Sequence, residues 1–565
     1  MRTETDDEGR SMVSRARFVR RWSAVWCALL MLAAGAGPAS AASSSGASGA
    51  SGASGAPPED RPVVQSDRGP VRGTAHGTYR TFEGIPYAAP PTGPLRWRLP
   101  QPAARWAGVR DAGAPGARCV QLPAVGPGGP SGSEDCLYLN VTTPSPSPSL
   151  SASGGRGRPV MVWFHGGGFV NGAGDLYRAD RPAVQGGAVV VTVNYRLGVF
   201  GLFGHPALGG APDFAIADQQ AALRWVRSNA ARFGGDPSDV TLFGESAGAL
   251  SICAHLTSPA SAGLFQRAIL QSGSCSTTMP PRSLLPTLGR YEPFVPEQRT
   301  VADGVTAAAG LGCDRPESGA VLECLRGKDA AALATPELMM RFSLVSYGNR
   351  NRVLPEEPRR ALEGGRFHRV PVIEGVNRDE MRIFLAQGLA AFPIPDAGAY
   401  RARVEQSFGA AAVPAVEARY PVAAYPTPAL AFAAVLSDAS FICPALRDGR
   451  AMARHVPVYA YRFSDRDAPN FTGLPEVPGF PYGASHGLEL PYLFTMDAAL
   501  TAPQRALSER MTADWTAFAR TGAPPAWPRF GSADSVLSLA PGPGGIHAVN
   551  GPAEHHCAFW DAQGV

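Results

Sequence analysis

Lysine is almost absent from the chain, and so are the motifs by which proteins commonly bind metals or nucleic acids. Lys328 is the single lysine, and no run of basic residues marks a surface for nucleic acid. Neither C-x-x-C nor H-E-x-x-H occurs, so we expect no metal site, and no organic cofactor is implied. The formal net charge of +4 says little about partners. We interpret the abundant Arg, Ala, Gly and Pro as the codon bias of a high-GC bacterial genome.

The only hydrophobic run that we interpret as a targeting segment lies near the start of the chain. Four arginines between residues 15 and 21 precede an apolar run from Trp22 to Ala36, and Ala39-Ser-Ala41 offers a small-residue cleavage site. The run is too short to span a bilayer comfortably, so residues 1–41 are predicted to be a signal peptide. Arg20-Arg21 leaves twin-arginine and general export open. With no second span or anchor predicted, the protein is expected to be secreted and soluble.

Composition also predicts the domain organisation. Residues 42–61 are rich in Gly, Ser and Ala and are expected to be a flexible linker, and residues 62–565 form the globular domain. Hydrophobic residues make up 45% of the sequence, which is enough for a large core. Of nine cysteines, eight remain once Cys27 is removed with the signal peptide. An even number in an exported protein favours disulfides over metal sites.

Strand-like and helix-like segments alternate along the domain, which predicts an α/β fold. The continuous apolar runs are typical of buried parallel strands, so we expect a large, mostly parallel central sheet with helices on both faces. The predicted strands are residues 159–164, 188–193, 268–271, 370–374 and 456–461, and a helix is predicted from Asp218 to Phe233.

Three other segments have distinctive compositions. Residues 144–158 are rich in Ser, Pro and Gly and are predicted to form an exposed hairpin loop. Residues 276–365 and 386–455 are rich in Ala and mostly helical in pattern, and we expect them to form a cap over the functional site.

Two stretches of the chain fit G-x-S-x-G, a turn that lifts a nucleophilic serine clear of a sheet. Ser246 follows the apolar segment Val240–Phe243 and precedes residues 247–255, which can continue as a helix. No apolar strand leads into Ser485, and Pro491 follows where a helix should begin. Because the turn needs this strand-to-helix context, we predict that Ser246 is the nucleophile of a hydrolase.

A glycine triplet lies upstream of this turn. His165-Gly-Gly-Gly168 comes directly after a predicted strand, and glycines let backbone N–H groups approach a substrate closely. A flexible turn would be the simpler interpretation of an isolated triplet. Its position before the serine turn favours an oxyanion loop instead, since acyl transfer places negative charge on the carbonyl oxygen.

Taken together, these motifs resemble those of the type-B carboxylesterases, a family of carboxylesterases, cholinesterases and lipases with the α/β-hydrolase fold. Two stretches match the family closely, residues 233–248 and 134–141. Lesser matches are Gly84-Ile-Pro-Tyr-Ala, Asn194-Tyr-Arg-Leu-Gly198, Gly375-Val-Asn-Arg-Asp-Glu380 and Cys557-Ala-Phe-Trp560. They are spread over nearly all of the chain after the linker.

The resemblance implies a catalytic triad of Ser246, Glu380 and His486. Asp379 is the alternative acid, but the family motif places the acid at the second of these two positions. The implied oxyanion hole uses backbone N–H groups, those of Gly167, Gly168 and Ala247. Two further residues, Glu489 and Ser272, resemble polar residues beside the triad, with packing in the core as an equal alternative.

Other residues have structural roles by the same resemblance. Arg96 is expected to pair with Glu134, and Arg196 with Asp218, while Glu245 beside the nucleophile is not the triad acid. The other nine histidines are expected to be structural or to lie on the surface. The implied disulfides are Cys119–Cys136, Cys313–Cys324 and Cys443–Cys557, with a bridge between Cys253 and Cys275 left open.

The expected activity is hydrolysis of small carboxylic esters through an acyl-serine intermediate. A lipase of longer-chain esters is the alternative, and a non-catalytic binding protein is a remote one. The stretch between Cys119 and Cys136 contains no tryptophan with which to hold choline, which disfavours a cholinesterase. The chain also departs from the family's Gly-Asn-x-Gly segment at Ala211-Pro-Asp-Phe-Ala215. Neither the acyl and alcohol preference nor the oligomeric state is predicted.

Overall fold

The computed structural model describes residues 61–124, 128–146, 157–314, 317–531 and 535–564. The predicted signal peptide and all but the last residue of the predicted linker lie outside these ranges. That last residue, Arg61, already belongs to the fold, because its guanidinium contacts the Asp111 carboxylate at 2.7 Å.

Sixteen strands occur in the described residues, and eleven of them form one sheet. They are β1 (Val63–Gln65), β2 (Pro70–Arg72), β3 (Thr74–Ala75), β4 (Tyr79–Pro86), β5 (Arg110–Asp111), β6 (Tyr138–Pro144), β7 (Arg158–Phe164), β8 (Val189–Val193), β9 (Gly235–Glu245), β10 (Arg267–Gln271), β11 (Phe294–Pro296), β12 (Val345–Tyr347), β13 (Val372–Asn377), β14 (Val458–Phe463), β15 (Ser535–Leu539) and β16 (Ile546–Asn550).

The large sheet has the order β16-β15-β14-β13-β10-β9-β7-β8-β6-β4-β3. The seven strands from β15 to β8 are parallel, whereas β16 at one edge and β6, β4 and β3 at the other are antiparallel. The described residues also form a three-stranded sheet, β1-β2-β5, and a parallel pair, β11-β12. The predicted α/β class with a mostly parallel sheet is confirmed.

Seventeen α-helices occur in the described residues, and the large sheet has helices on both of its faces. They are α1 (Asp180–Val184), α2 (Gly198–Leu202), α3 (Phe214–Asn229), α4 (Ala247–Thr257), α5 (Glu297–Gly310), α6 (Ser318–Arg326), α7 (Ala330–Leu333), α8 (Pro336–Arg341), α9 (Pro358–Glu363), α10 (Arg382–Leu389), α11 (Ala397–Phe408), α12 (Val413–Arg419), α13 (Pro428–Ser437), α14 (Cys443–Ala453), α15 (Ala502–Thr521), α16 (Gly551–Glu554) and α17 (Cys557–Ala562).

Strand β7 shows how the sequence builds two hydrophobic cores. Side chains alternate between the faces of a strand, so Val162 and Phe164 enter the core that also holds α3 and α4. Met161 and Trp163 enter the opposite core, which contains Trp515 of α15. All of these side chains are almost completely buried, which explains why the strand appears in the sequence as one continuous apolar run.

One sequence prediction is wrong in detail, and another falls mostly outside the described residues. The hairpin loop predicted for residues 144–158 includes residues 147–156, which lie outside the described ranges, and the strands that flank it, β6 and β7, are separated in the sheet by β8. The helix predicted from Asp218 begins earlier, at Phe214. No side chain caps its N-terminus with a hydrogen bond, because the carboxylate of the preceding Asp213 accepts hydrogen bonds from Ser346 and Asn351 instead.

One helical segment of the predicted cap belongs to the core. Residues Pro428–Ala453 run from α13 through a π-helical turn, Asp438–Ile442, into α14, which packs against β13 and β14. The segment is long and apolar enough to cross a membrane, with a mean hydropathy of 1.8, but 94% of its most apolar stretch is buried inside the protein. Burial in the core accounts for its composition.

Four disulfides connect the eight cysteines of the described residues. Their Cα–Cα distances run from 4.9 to 5.6 Å, within the range that a disulfide needs. Three pairs are those implied by the resemblance, and the fourth joins Cys253 of α4 to Cys275 after β10. The pairs are Cys119–Cys136, Cys253–Cys275, Cys313–Cys324 and Cys443–Cys557.

Candidate active site

Ser246 lies on a sharp turn between β9 and α4. Its backbone has φ 56° and ψ −120°, a conformation that a residue with a side chain adopts only under strain of roughly 1–3 kcal/mol. The flanking glycines permit the turn, because a Cβ on Gly248 would lie 1.9 Å from the carbonyl oxygen of Phe164. On Gly244 it would lie 2.7 Å from the same oxygen. The serine is partly exposed, and its N–H donates to the carbonyl of Gln271 at 2.9 Å.

His486 and Glu380 form a buried pair. The Nδ1 atom of His486 lies 2.7 Å from Oε2 of Glu380, and the two residues are 9% and 0% exposed. The imidazole packs against two aromatic rings, Phe384 and Phe441, with centroid distances of 4.9 and 5.0 Å. These contacts hold the ring in one orientation. Its Nε2 atom has no hydrogen-bond partner among the described residues and remains able to exchange a proton.

A second glutamate faces the other side of the imidazole. Oε1 of Glu245, the residue before the serine, lies 3.1 Å from Nε2 of His486, although the two atoms are not aligned as a hydrogen bond. Burial raises the pKa of Glu245 to about 8, against the opposing effect of the histidine. Burial alone would lower the pKa of His486. The carboxylates of Glu245, Glu380 and Glu489 outweigh that effect and raise this pKa to about 9.

Asp379, the alternative acid, and Ser485, the serine of the second G-x-S-x-G match, have other contacts. The Asp379 carboxylate binds Arg382 at 2.8 Å and Arg466 at 3.2 Å, and accepts from the N–H of Ala484 at 3.1 Å, so it faces away from the imidazole. Ser485 Oγ accepts from the N–H of Ile383 at 2.8 Å. Both residues join the loop of the acid to the loop of the histidine.

The glycine loop after β7 packs directly on the serine turn. A Cβ on Gly166 would lie 2.6 Å from Oε2 of Glu245 and 3.1 Å from Cβ of Ser246. Gly167 and Gly168 both have positive φ, 101° and 59°, which a side chain would strain. The backbone of the loop therefore lies so close to the serine turn that only glycine fits there.

Two other residues near the serine are Ala247, the third predicted oxyanion donor, and His165 at the start of the glycine loop. Ala247 is the first residue of α4, so its N–H has no acceptor within the helix. His165 is buried, and burial lowers its pKa to about 4, which keeps the ring neutral. Its ring stacks on Tyr195 with centroids 4.3 Å apart, so it supports the loop rather than the chemistry.

Glu489 and Ser272, which resemble polar residues beside the triad, have different surroundings. Oε2 of Glu489 accepts from Nδ2 of Asn377 at 2.6 Å, and Oε1 accepts from Nε2 of Gln271 at 3.1 Å. Ser272 has φ 52°, and its Oγ has no partner among the described residues. The sequence prediction did not single out Asn377 or Gln271, although Asn377 lies inside the motif that ends at Glu380.

The predicted ion pairs hold the surrounding frame. Arg96 binds Glu134 through two hydrogen bonds, at 2.6 and 2.5 Å, and Arg196 binds Asp218 in the same manner, both at 2.7 Å. A second buried acid–histidine pair exists, since His555 Nδ1 lies 2.6 Å from Asp438. Its other nitrogen faces a guanidinium rather than a serine, so this pair cannot activate a nucleophile.

No cluster of three or more metal-binding side chains occurs in the part of the chain that the structure describes. What the residues offer is a serine, an imidazole and backbone donors, the groups that acyl transfer uses. The parallel sheet, the strained serine turn at the end of a central strand and the adjoining glycine loop define the chain as an α/β-hydrolase.

Comparisons with known proteins give the family. The model of the carboxylesterase family matches residues 60–560, and the chain belongs to this family. It is 34% identical over 494 residues to the para-nitrobenzyl esterase of Bacillus subtilis (strain 168), covering 83% of this chain and 92% of the relative. It is also 34% identical over 524 residues to the acylcarnitine hydrolase of Mus musculus, covering 85% and 88%.

A solved structure of a PNB esterase superposes with a TM-score of 0.70 at 31% identity, covering 88% of this chain and 99% of that one. The resemblance inferred from the motifs is therefore confirmed, and with it the α/β-hydrolase fold. The chain is an enzyme, a carboxylesterase that hydrolyses carboxylic ester bonds.

Replacing Glu245 by Gln should lower the pKa of His486. The carboxylate 3.1 Å from Nε2 favours the charged imidazolium, and a neutral amide of the same shape does not. Titration of the His486 ring by NMR measures the change. Glu374→Gln is the matched control, because Glu374 is also a buried glutamate on the sheet and is not among the carboxylates that raise the pKa of His486. A ring pKa that stays at the parent value in Glu245→Gln would contradict the electrostatic role assigned to Glu245.

Proposed function

We propose that this carboxylesterase acts through an acyl-serine intermediate formed on Ser246. The observation that carries the proposal is the 2.7 Å contact between His486 Nδ1 and Glu380 Oε2, which leaves the opposite imidazole nitrogen without a hydrogen bond. A carboxylate on Nδ1 fixes the tautomer in which Nε2 can accept a proton, and it stabilises the imidazolium that then forms.

The reaction follows from these roles. Nε2 of His486 takes the proton of the Ser246 hydroxyl as its oxygen attacks the ester carbonyl, and the imidazolium then protonates the leaving alcohol. A water molecule, deprotonated by the same nitrogen, attacks the acyl-serine and releases the carboxylic acid. The carboxylate of Glu380 balances the charge on the ring.

The negative charge on the carbonyl oxygen needs its own donors. We propose the N–H groups of Gly167, Gly168 and Ala247 for this role, because the glycine loop packs on the serine turn and the helix begins at Ala247. Loss of one such donor typically costs roughly 3–4 kcal/mol of transition-state stabilisation. Fixed backbone donors require no reorganisation when the charge appears.

Replacing Ser246 by Ala should lower kcat on p-nitrophenyl esters by about a thousandfold or more, because it removes the hydroxyl that forms the proposed acyl-serine. Steady-state rates, with active-site titration of the parent enzyme, measure the loss. Ser228→Ala is the control, since Ser228 is exposed on α3. Full activity in Ser246→Ala would overturn both the nucleophile and the mechanism. A parent protein without activity would favour the binding-protein alternative.

We infer that the substrates are small soluble esters rather than emulsified long-chain esters. The rings of Phe384 and Phe441, which pack against the imidazole, support an apolar substrate group next to it. In a series of p-nitrophenyl esters of increasing acyl length, kcat/KM should be highest for soluble members. Rates should not rise when a long ester exceeds its solubility. A sharp rise at that point would instead support the lipase alternative.

We also propose that the enzyme is exported after cleavage behind Ala41. The arginine-flanked apolar run of residues 1–41 supports this, and the four disulfides suit an oxidising compartment. Expression of the full chain in a bacterial host, followed by N-terminal sequencing of the protein from the medium, should give Ala42 as the first residue. Activity confined to the cells, with residues 1–41 retained, would refute export. Ala41→Arg is the control that should block cleavage.

A further inference from the structure

A continuous set of hydrogen bonds joins the serine, the acid and the histidine loop. It begins at Ser246, whose N–H donates to the backbone carbonyl of Gln271 at 2.9 Å. The side chain of Gln271 donates to Glu489 at 3.1 Å, and Glu489 accepts from Asn377 at 2.6 Å. We call the three residues Gln271, Glu489 and Asn377 the amide bridge.

Asn377 is the branching point of the amide bridge. Its backbone N–H donates to Oε1 of Glu380 at 2.7 Å, opposite the oxygen that contacts His486. Its side-chain Nδ2 donates both to Oε2 of Glu489 and to the backbone carbonyl of Ser485, the residue before the histidine, at 2.7 Å. One completely buried residue therefore holds the acid and the loop of the histidine.

The chemistry of the site explains why an amide is needed here. Three buried carboxylates, those of Glu245, Glu380 and Glu489, surround one imidazole, and each requires donors because it is removed from water. Both acceptors of Nδ2 are oxygen atoms, and an NH2 group has the two hydrogens needed to satisfy them together. A carboxylate in its place would face two acceptors and add a fourth negative charge.

We propose that Asn377 is a positioning residue, which sets the place and the protonation of His486 by holding Ser485 and Glu489 through Nδ2. The inference rests on the proposed function of the triad and extends it to a residue that does not touch the substrate. The backbone N–H to Glu380 persists whatever side chain is present. Substitution therefore isolates the contribution of the Nδ2 contacts.

Three glutamates set the charge of His486. Glu245 precedes the serine, Glu380 follows β13, and Glu489 belongs to the histidine loop; Phe384 and Phe441, which contact the ring, do not titrate. Tyr461 lies near the same carboxylates, and burial raises its pKa well above the usual range, so it stays neutral. An added carboxylate at position 377 would act on this set.

The first test is Asn377→Asp in the full chain. An added negative charge favours the imidazolium, so the acidic limb of the kcat/KM profile should move to higher pH by about one unit. Asn351→Asp is the matched control, because Asn351 is also buried and its Nδ2 bridges the Asp213 carboxylate and two backbone carbonyls far along the chain from the triad. The control should leave the limb in place.

The second test, Asn377→Ser, removes the Nδ2 contacts without adding charge and is informative if Asn377→Asp does not fold. We expect kcat to fall about tenfold while KM stays within about twofold, because the substrate still binds but the imidazole is less well placed. Asn351→Ser should lower the unfolding temperature by a similar amount and leave kcat near the parent value. Equal losses of kcat in both serine variants would reduce Asn377 to a structural residue and overturn the proposal.

The outcomes separate this inference from the proposed function. Activity retained in Ser246→Ala would remove the triad itself. An inactive Ser246→Ala combined with a parental pH profile in Asn377→Asp and a parental kcat in Asn377→Ser would leave the triad intact and refute the role of Asn377 alone.

Discussion

The burial of three glutamates around a single histidine is the constraint on which the site depends. Glu245, Glu380 and Glu489 are between 0 and 4% exposed, and each carboxylate removed from water must find a donor or a proton. His486 serves two of them directly, Asn377 serves two through separate N–H groups, and burial raises the pKa of Glu245 and Glu489. The charge that makes the imidazole basic is thus held by amide donors outside the triad.

Close backbone approach is the second requirement, and glycine provides it. A side chain on Gly244 or Gly248 would clash with the carbonyl oxygen of Phe164. Strand β7 and the turn at Ser246 are therefore in contact through backbone atoms. The strain at the serine is maintained by this packing, together with the hydrogen bond from its N–H to Gln271. The same contact brings the glycine loop beside the serine, where oxyanion donors are needed.

The second G-x-S-x-G match shows that a stretch can fit a sequence motif without having the role that the motif predicts. Ser485 connects two loops and is not placed as a nucleophile, because its Oγ accepts from the N–H of Ile383 and its backbone carbonyl accepts from Nδ2 of Asn377. Asp379 acts similarly, by joining two arginines to the histidine loop. Residues next to the proposed triad in sequence therefore differ from it in what their side chains contact.

The sequence by itself determined the class of fold, the family and the residues proposed as the triad, because apolar runs and short motifs are local properties of the chain. It also indicated most central strands, though not the helix start at Phe214 or the strand order that places β8 between β6 and β7. Only the tertiary structure decided that Cys253 bonds Cys275 and that Asn377 donates hydrogen bonds to Ser485 and Glu489. These are contacts between residues far apart in the chain, and they depend on register and side-chain direction, which local sequence does not encode.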